Sequence, residues 1–391
     1  MALFFWCIVV VFYTSVGLFY LTFSNLDPLG AMAMNGAAYD IAQTIFIGCC
    51  GVFLGYWLFS RTRLPKTSFL TDKSFLRFCA FGYFGVALLT FTLGVQYYGG
   101  YFSFLSTPYS AIYAGSAENE IKDVLISSSG LLSIFAILCF YSSGRINYLA
   151  KPFLALAFII LLSIFIQGRR ETLLLLIMCV LSYMFLGKKI RLMNLLKVLI
   201  IVMFLLIVAG AGLYIRASSS TSGGGIFSAV GYAVLYETHF TIANLENEIK
   251  SHAYNGQPFG GAFELLYPFL FIVPSLLFSI FGINKGDFFS SSEARIYDDK
   301  GGEFVFTEGY HAMGEVGVFI HGIILGAMLI LFYRLTRKSQ MVLYHFPIVA
   351  LILVASRKDL TYGVKYISLL FIFMLVFRII YVVLPKKRSG M

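Results

Sequence analysis

The chain has 391 residues, of which 59% are hydrophobic and only 12% charged, and it carries a formal net charge of +10. Soluble domains are about 25% charged, so this composition excludes an ordinary soluble enzyme. The Lys and Arg residues lie mainly in short loops between apolar runs and at the C-terminus, which sets nucleic-acid binding aside and points to an all-α, polytopic integral membrane protein with a single transmembrane domain over residues 1–391.

Apolar stretches of about 17 to 25 residues, long enough to cross a hydrocarbon core, recur along the chain. Ala2 to Phe23 has no basic leader and no small-residue cleavage site, and reads as a first span rather than a removed signal peptide. Ser24 to Asp40 lacks Lys and Arg and is placed outside. Ile41 to Ser60 returns to a loop with Arg61, Arg63, Lys66, Lys73 and Arg77, the signature of the cytoplasmic face, so the N-terminus is cytoplasmic too. Phe78 to Tyr98 leads out to an extracytoplasmic loop, Gly99 to Asp123, whose aromatic residues suit an interfacial belt or the stacking of sugars. Val124 to Ser143 comes in, Pro152 to Gln167 goes out, and Thr172 to Gly187 returns to Lys188, Lys189, Arg191 and Lys197.

Val198 to Ile215 then leads to Arg216 and a long extracytoplasmic loop over residues 216–307. It begins with a flexible run, Ser218 to Gly225, followed by an amphipathic piece, Ile226 to Leu245, that brings Glu237, His239 and Glu246. Ala262 to Gly282 is apolar but interrupted by Pro268 and Pro274. Prolines so placed break a helix, and broken backbone at membrane depth persists only where protein buries it or a cavity receives it, so this reads as a re-entrant or interfacial segment. The remaining spans are Tyr310 to Phe332, Met341 to Ser356 and Thr361 to Leu384. Keeping Arg334, Arg337 and Lys338, and the tail Lys386, Lys387 and Arg388, on the cytoplasmic side requires ten spans or twelve, not eleven. Gly322 and Gly326 form a GxxxG close-packing pattern. The six cysteines all lie in apolar runs and suggest neither a disulfide framework nor a metal-ligand spacing.

Three charge clusters sit at the outer ends of apolar runs: Gly168-Arg169-Arg170-Glu171, Arg357-Lys358-Asp359, and the stretch Glu303 to Gly317, where Glu308, His311 and Glu315 fall at i, i+3 and i+7 on one helix face. Ionisable groups entering a span are costly unless they serve a site, and the three clusters are expected to form one. Several cations with carboxylates and a His among lipid-facing helices suit a diphosphate joined to a lipid. Arg169, Arg170 and Arg357, with Arg216 and Lys358 as second choices, would bind the diphosphate as planar forks and point charges. Glu308 or His311 would take the proton of an attacking hydroxyl, with Glu315 orienting His311. Glu171 and Asp359 would position the neighbouring cations, and Glu237 with His239 forms a second, supporting pair. Neither a metal nor a cofactor is expected, because the side-chain cations would neutralise the diphosphate. A phosphate-binding glycine loop, a His-Glu-x-x-His pair and a nucleophile elbow are all missing from the sequence, which argues against ATP-driven and serine-hydrolase chemistry.

The Gln-Gly-Arg-Arg-Glu turn (Gln167 to Glu171), the long outer loop before Glu308-Gly-Tyr-His-Ala-Met-Gly-Glu-Val-Gly317 and the late Ser-Arg-Lys-Asp turn (Ser356 to Asp359) together resemble the bacterial Wzy-type O-antigen and capsule repeat-unit polymerases. The likeness is architectural over the whole chain and covers about 25 residues in motif. It implies a fold like that of GT-C-type O-antigen polymerases and ligases in a bacterial cytoplasmic membrane. It also implies a polyprenyl-diphosphate-linked oligosaccharide as substrate, chain growth at the extracytoplasmic face, and a flippase and a chain-length regulator as pathway partners. An arginine followed by ten residues and a glycine, a motif of some such polymerases, does not occur at Arg169, Arg170, Arg216 or Arg357. Two alternatives stay open: a ligase of the same chemistry, and a transporter or flippase of lipid-linked sugars.

Overall fold

The computed structural model of the chain describes residues 2–4, 6–11, 14, 37–62, 72–107, 117–144, 148, 150–167, 170–186, 242–254, 256–270, 272–273, 304–355 and 360–383. These residues form helices and their connections, with no strand among them. Among the described residues, five helices are long and apolar enough to cross a membrane: Tyr39–Phe59, Lys73–Tyr97, Val124–Ser142, Thr307–Ser339 and Leu360–Val383. Ala150–Ile166, Glu171–Met184 and Val342–Leu353 are shorter apolar helices. This helical, apolar build marks the chain as membrane-embedded. The expected span Val198 to Ile215, most of Ile226 to Leu245, and the part of Ala262 to Gly282 beyond Val273 lie outside the described residues.

Besides helical residues within 2–11, the described helices include α1 (Ala37–Phe59), α2 (Lys73–Tyr97), α3 (Tyr101–Ser106), α4 (Ala117–Ser142), α5 (Ala150–Ile166), α6 (Arg170–Leu186), α7 (242–249), α8 (Tyr267–Leu270), α9 (Thr307–Ser339), α10 (His345–Val349) and α11 (Leu360–Val383). The chain divides into two compact units. One holds residues 65–231, 338–346 and 369–391 and is organised around α2 and α4. Asp72 caps α2 by accepting from the backbone N–H of Ser74 and Phe75, which supplies partners for two of the donors a helix start leaves open. The buried Tyr83 ring contacts Phe135, Phe373 and Phe377 edge-on or tilted, and its hydroxyl donates to the Leu370 carbonyl at 2.5 Å. Helix α3 folds back onto the bundle: Phe104 is buried with Phe91, Ile126, Ile160 and Ile164, and the Tyr101 hydroxyl meets Ser163 Oγ at 2.8 Å.

The second unit holds residues 1–64, 232–337 and 347–368. Its scaffold is α1 against α9. A Cβ on Gly51, Gly55, Gly322 or Gly326 would land on backbone of the opposite helix, at Phe319, Ile323, Gly48 and Val52 respectively, so the two helices touch main chain to main chain. Close approach of this kind replaces the hydrophobic drive that is missing between helices in lipid. The GxxxG pattern read in the sequence thus has its partner surface on α1. The ring of Phe306 fills the space where Gly48 would carry a Cβ, and Trp6 meets that ring edge-on at 6.3 Å.

Helix α9 is not one rod. Met313 (φ −149°, ψ 25°) and Gly314 (φ 61°, ψ −141°) leave helical geometry. The turn before the break folds back on the helix after it: the Gly309 carbonyl occupies the place of a Gly317 Cβ, and a Cβ on Gly309 would lie 3.0 Å from His321 Cβ. In a straight helix these residues would be more than about 10 Å apart along the axis.

Gly326→Leu and Gly51→Val are expected to lower stability by about 1–3 kcal/mol or more through overpacking. Gly85→Ala on α2, where nothing lies within 4 Å of the added Cβ, should be neutral or slightly stabilising. Thermal unfolding in a fixed detergent or nanodisc checks the contrast, and equal effects from all three would contradict the tight α1–α9 contact.

Candidate functional site

The second unit gathers an ionisable cluster that is nearly dry. Helix α7 brings Glu246 and Glu248, and at Lys250–Tyr254 it widens into a π turn that bears His252. Turns of this type recur at functional positions because they re-aim side chains within a helix. A 3-10 turn over Ala262–Leu266 brings Glu264, and the folded-back start of α9 brings Glu308 and His311. Glu248, Glu264, His252 and His311 are only 4% to 8% exposed.

Four contacts define the geometry. His311 lies between two carboxylates, with Nδ1 3.0 Å from Glu248 Oε2 and Nε2 3.3 Å from Glu264 Oε2. His252 Nε2 is 3.2 Å from the same Glu248 oxygen, and its Nδ1 donates to the Gln257 carbonyl at 2.9 Å. Phe259 stacks on the His252 ring at 4.5 Å with an interplanar angle of 20°. Beside this group, Glu308 accepts a hydrogen bond from the Thr361 hydroxyl on α11, and one of its oxygens is 3.7 Å from His321 Nε2. Glu246, two residues before Glu248 on α7, pairs with the half-exposed Lys250 at 2.5 Å. The site is therefore lined by carboxylates and imidazoles in mutual contact, able to hold cations and to accept or pass protons.

The break in α9 creates this arrangement. Leaving helical geometry at Met313 and Gly314 frees the carbonyls of His311 and Ala312, which accept from the N–H groups of Gly260 (3.0 Å) and Gly261 (2.8 Å). Those two bonds dock the 256–261 loop and with it Glu264. A Cβ on Gly260 would fall within 2.0–2.2 Å of the Glu264 carboxyl group, so any larger residue there displaces that carboxylate from its present position. Gly314 is needed because its φ of 61° is a left-handed conformation and a Cβ would press the Phe259 ring at 3.0 Å.

Of the residues singled out in the sequence, Glu308 and His311 are buried here, three residues apart on the folded-back turn. Glu315 is not one turn deeper on their face: it lies past the break, is exposed, and accepts from Gln43 Nε2 at 2.7 Å. The carboxylates flanking His311 are those of Glu248 and Glu264. Arg170 and Glu171 open α6, with Glu171 half-buried; the side chain of Arg170, together with Arg169, Arg216, Glu237, His239, Arg357, Lys358 and Asp359, lies outside the described residues. Glu248, His252 and Glu264 escaped the sequence reading. The signal that could have found two of them is the i, i+4 spacing of Glu248 and His252, parallel to that of Glu246 and Lys250, in a region taken for a loop.

Comparison of the chain with protein families, with characterised proteins and with solved structures finds no match.

If these glycines are what seat Glu264 and the loop, Gly260→Ala and Gly314→Ala should each destabilise the fold by about 1–3 kcal/mol. Both should also speed amide hydrogen exchange in residues 256–266. Unchanged exchange in that segment would show that the loop is held by other means.

Proposed function

We propose that the protein is a polymerase that joins polyprenyl-diphosphate-linked oligosaccharide repeat units, at the extracytoplasmic face of a bacterial cytoplasmic membrane. The observation that carries this reading is the buried carboxylate and imidazole cluster at the head of a membrane-length helix. Ionisable groups in such a place are retained for function rather than for stability. The resemblance of the Arg169 and Arg357 turns and of the Glu308 to Gly317 stretch to the repeat-unit polymerases supplies the reaction class.

In this mechanism the acceptor is the non-reducing-end sugar of one lipid-linked repeat, and the donor is the diphosphate-linked sugar of another chain. The acceptor hydroxyl oxygen attacks the donor anomeric carbon. The bond from that carbon to the diphosphate breaks, and the polyprenyl diphosphate leaves with the electron pair. Glu308 or His311 takes the hydroxyl proton. Both are within a turn of each other, and each is oriented by buried partners: Glu308 by the Thr361 hydroxyl, His311 by Glu248 and Glu264. Arg169, Arg170 and Arg357, with Arg216 and Lys358, offset the charge that develops on the leaving diphosphate, where low hydration strengthens each contact. No nucleotide is consumed, which suits a face of the membrane where nucleotide sugars are lacking.

Purified protein incubated with its polyprenyl-diphosphate repeat unit and no nucleotide sugar should yield a ladder of extended chains. Glu308→Gln and His311→Ala variants that remain folded should lose about 100-fold or more of the rate at the position that serves as base, and Arg357→Ala should weaken use of the donor. A wild-type protein that leaves a competent substrate unextended overturns the reading and directs the next assay to transport of the same lipid-linked sugar.

A further inference from the structure

The histidines of the cluster pose a proton-counting problem. The Gln257 carbonyl can only accept, so His252 Nδ1 carries a proton, and in the neutral ring Nε2 presents a bare lone pair 3.2 Å from Glu248 Oε2. His311 faces carboxylate oxygens at both nitrogens, yet a neutral imidazole has one N–H to give. With that proton directed to Glu264, Nδ1 is bare as well. In that state two ring lone pairs and one oxygen of the Glu248 carboxylate lie within 4.8 Å of one another inside the protein. A cation there, either a bound ion or the second proton of an imidazolium, would meet the Glu248 carboxylate and both rings.

The geometry points to a binding site for one divalent transition-metal ion of the Zn2+ class, held by Glu248, His252 and His311. The three ligand atoms all lie within 4.8 Å of one another. The two separations from Glu248 Oε2, 3.0 and 3.2 Å, are close to the roughly 3.0–3.4 Å between neighbouring ligands when metal bonds are about 2.0–2.1 Å. The outer contacts match as well. Metal-bound histidines give their second N–H to a carbonyl or carboxylate, which fixes the tautomer, and here His252 has the Gln257 carbonyl and His311 has Glu264. Two imidazoles and one carboxylate select Zn2+ and its first-row neighbours over Mg2+ and Ca2+, which take oxygen donors. Three protein ligands leave a coordination position open to water or to a substrate oxygen.

This departs from the metal-free site expected from the sequence. The binding itself does not depend on the polymerase reading; the ion's part in catalysis does. Under that reading His311 would be engaged as a ligand, Glu308 would be left to remove the proton, and a bound ion would supply Lewis-acid chemistry for a hydroxyl or phosphate oxygen.

The test uses tag-free full-length protein, stripped with a chelator and titrated with Co2+, whose visible spectrum reports nitrogen and oxygen ligation, with Zn2+ in competition and metal content measured by mass spectrometry. One ion per chain is expected. His252→Gln should weaken binding by more than about 100-fold and Glu264→Gln by about 10–100-fold, whereas His345→Gln, in the other unit, should leave it unchanged. Zn2+ should raise the unfolding temperature of the wild type and not that of the His252→Gln variant. A wild type that shows neither a Co2+ spectrum nor a thermal shift overturns the proposal, whatever the variants do, and leaves the cluster to be neutralised by protons. Equal metal uptake by wild type and a His252→Gln, His311→Gln double variant overturns it also. The polymer ladder is read in a separate assay, so loss of metal binding and loss of polymerase activity are told apart.

Discussion

The fold-back of α9 at Met313 and Gly314 is the constraint on which the site depends. Interrupting a helix inside apolar surroundings exposes backbone groups that water cannot serve, at a cost of several kcal/mol for each group left unpaired. Here the freed carbonyls of His311 and Ala312 receive N–H groups from Gly260 and Gly261. The same two bonds that make the break tolerable also fix the loop that carries Glu264. Helix geometry, loop position and the environment of His311 are therefore one linked arrangement.

Charge is handled in the same coupled way. A carboxylate taken from water into a poorly polarisable interior must be paired or protonated. Glu248 faces two imidazoles, Glu264 faces one, Glu308 has a hydroxyl and an imidazole nearby, and Glu246 has Lys250. Buried groupings of this kind add little net stability, because desolvation offsets most of the attraction. Their concentration around the folded-back start of α9 is better understood as a site than as a fastening. The fastening lies elsewhere, in the glycine-lined contact of α1 with α9 and the aromatic packing around Tyr83.

The frame and the polar centre draw on different kinds of backbone. Membrane-length helices provide the apolar frame, while Glu308 and His311, His252 and Glu264 come from a broken helix, a π turn and a 3-10 turn. Each of those three pieces departs from regular helix, and each departure turns a polar side chain toward the others.

Composition and hydropathy alone identified a helical membrane protein, because burial in lipid demands long apolar runs whatever their partners. Helices α1, α2, α4, α9 and α11 lie close to spans read from the sequence, and Gly322 and Gly326 were recognisable as a packing surface before α1 was known to meet them. Glu308 and His311 also stood out locally, since charge entering an apolar run is conspicuous. The rest was decided by tertiary structure. Periodicity reports neighbours a few residues apart, and on that basis Glu315 shared a face with His311; a straight helix would have required it. The helix instead breaks at Met313 and Gly314 and bonds there to a loop far upstream in the chain; Glu315 is left exposed, and Glu248, His252 and Glu264 meet His311 from a region whose polarity made it look like solvated loop. Such contacts depend on where distant backbone N–H groups find acceptors, which no local pattern of residues encodes.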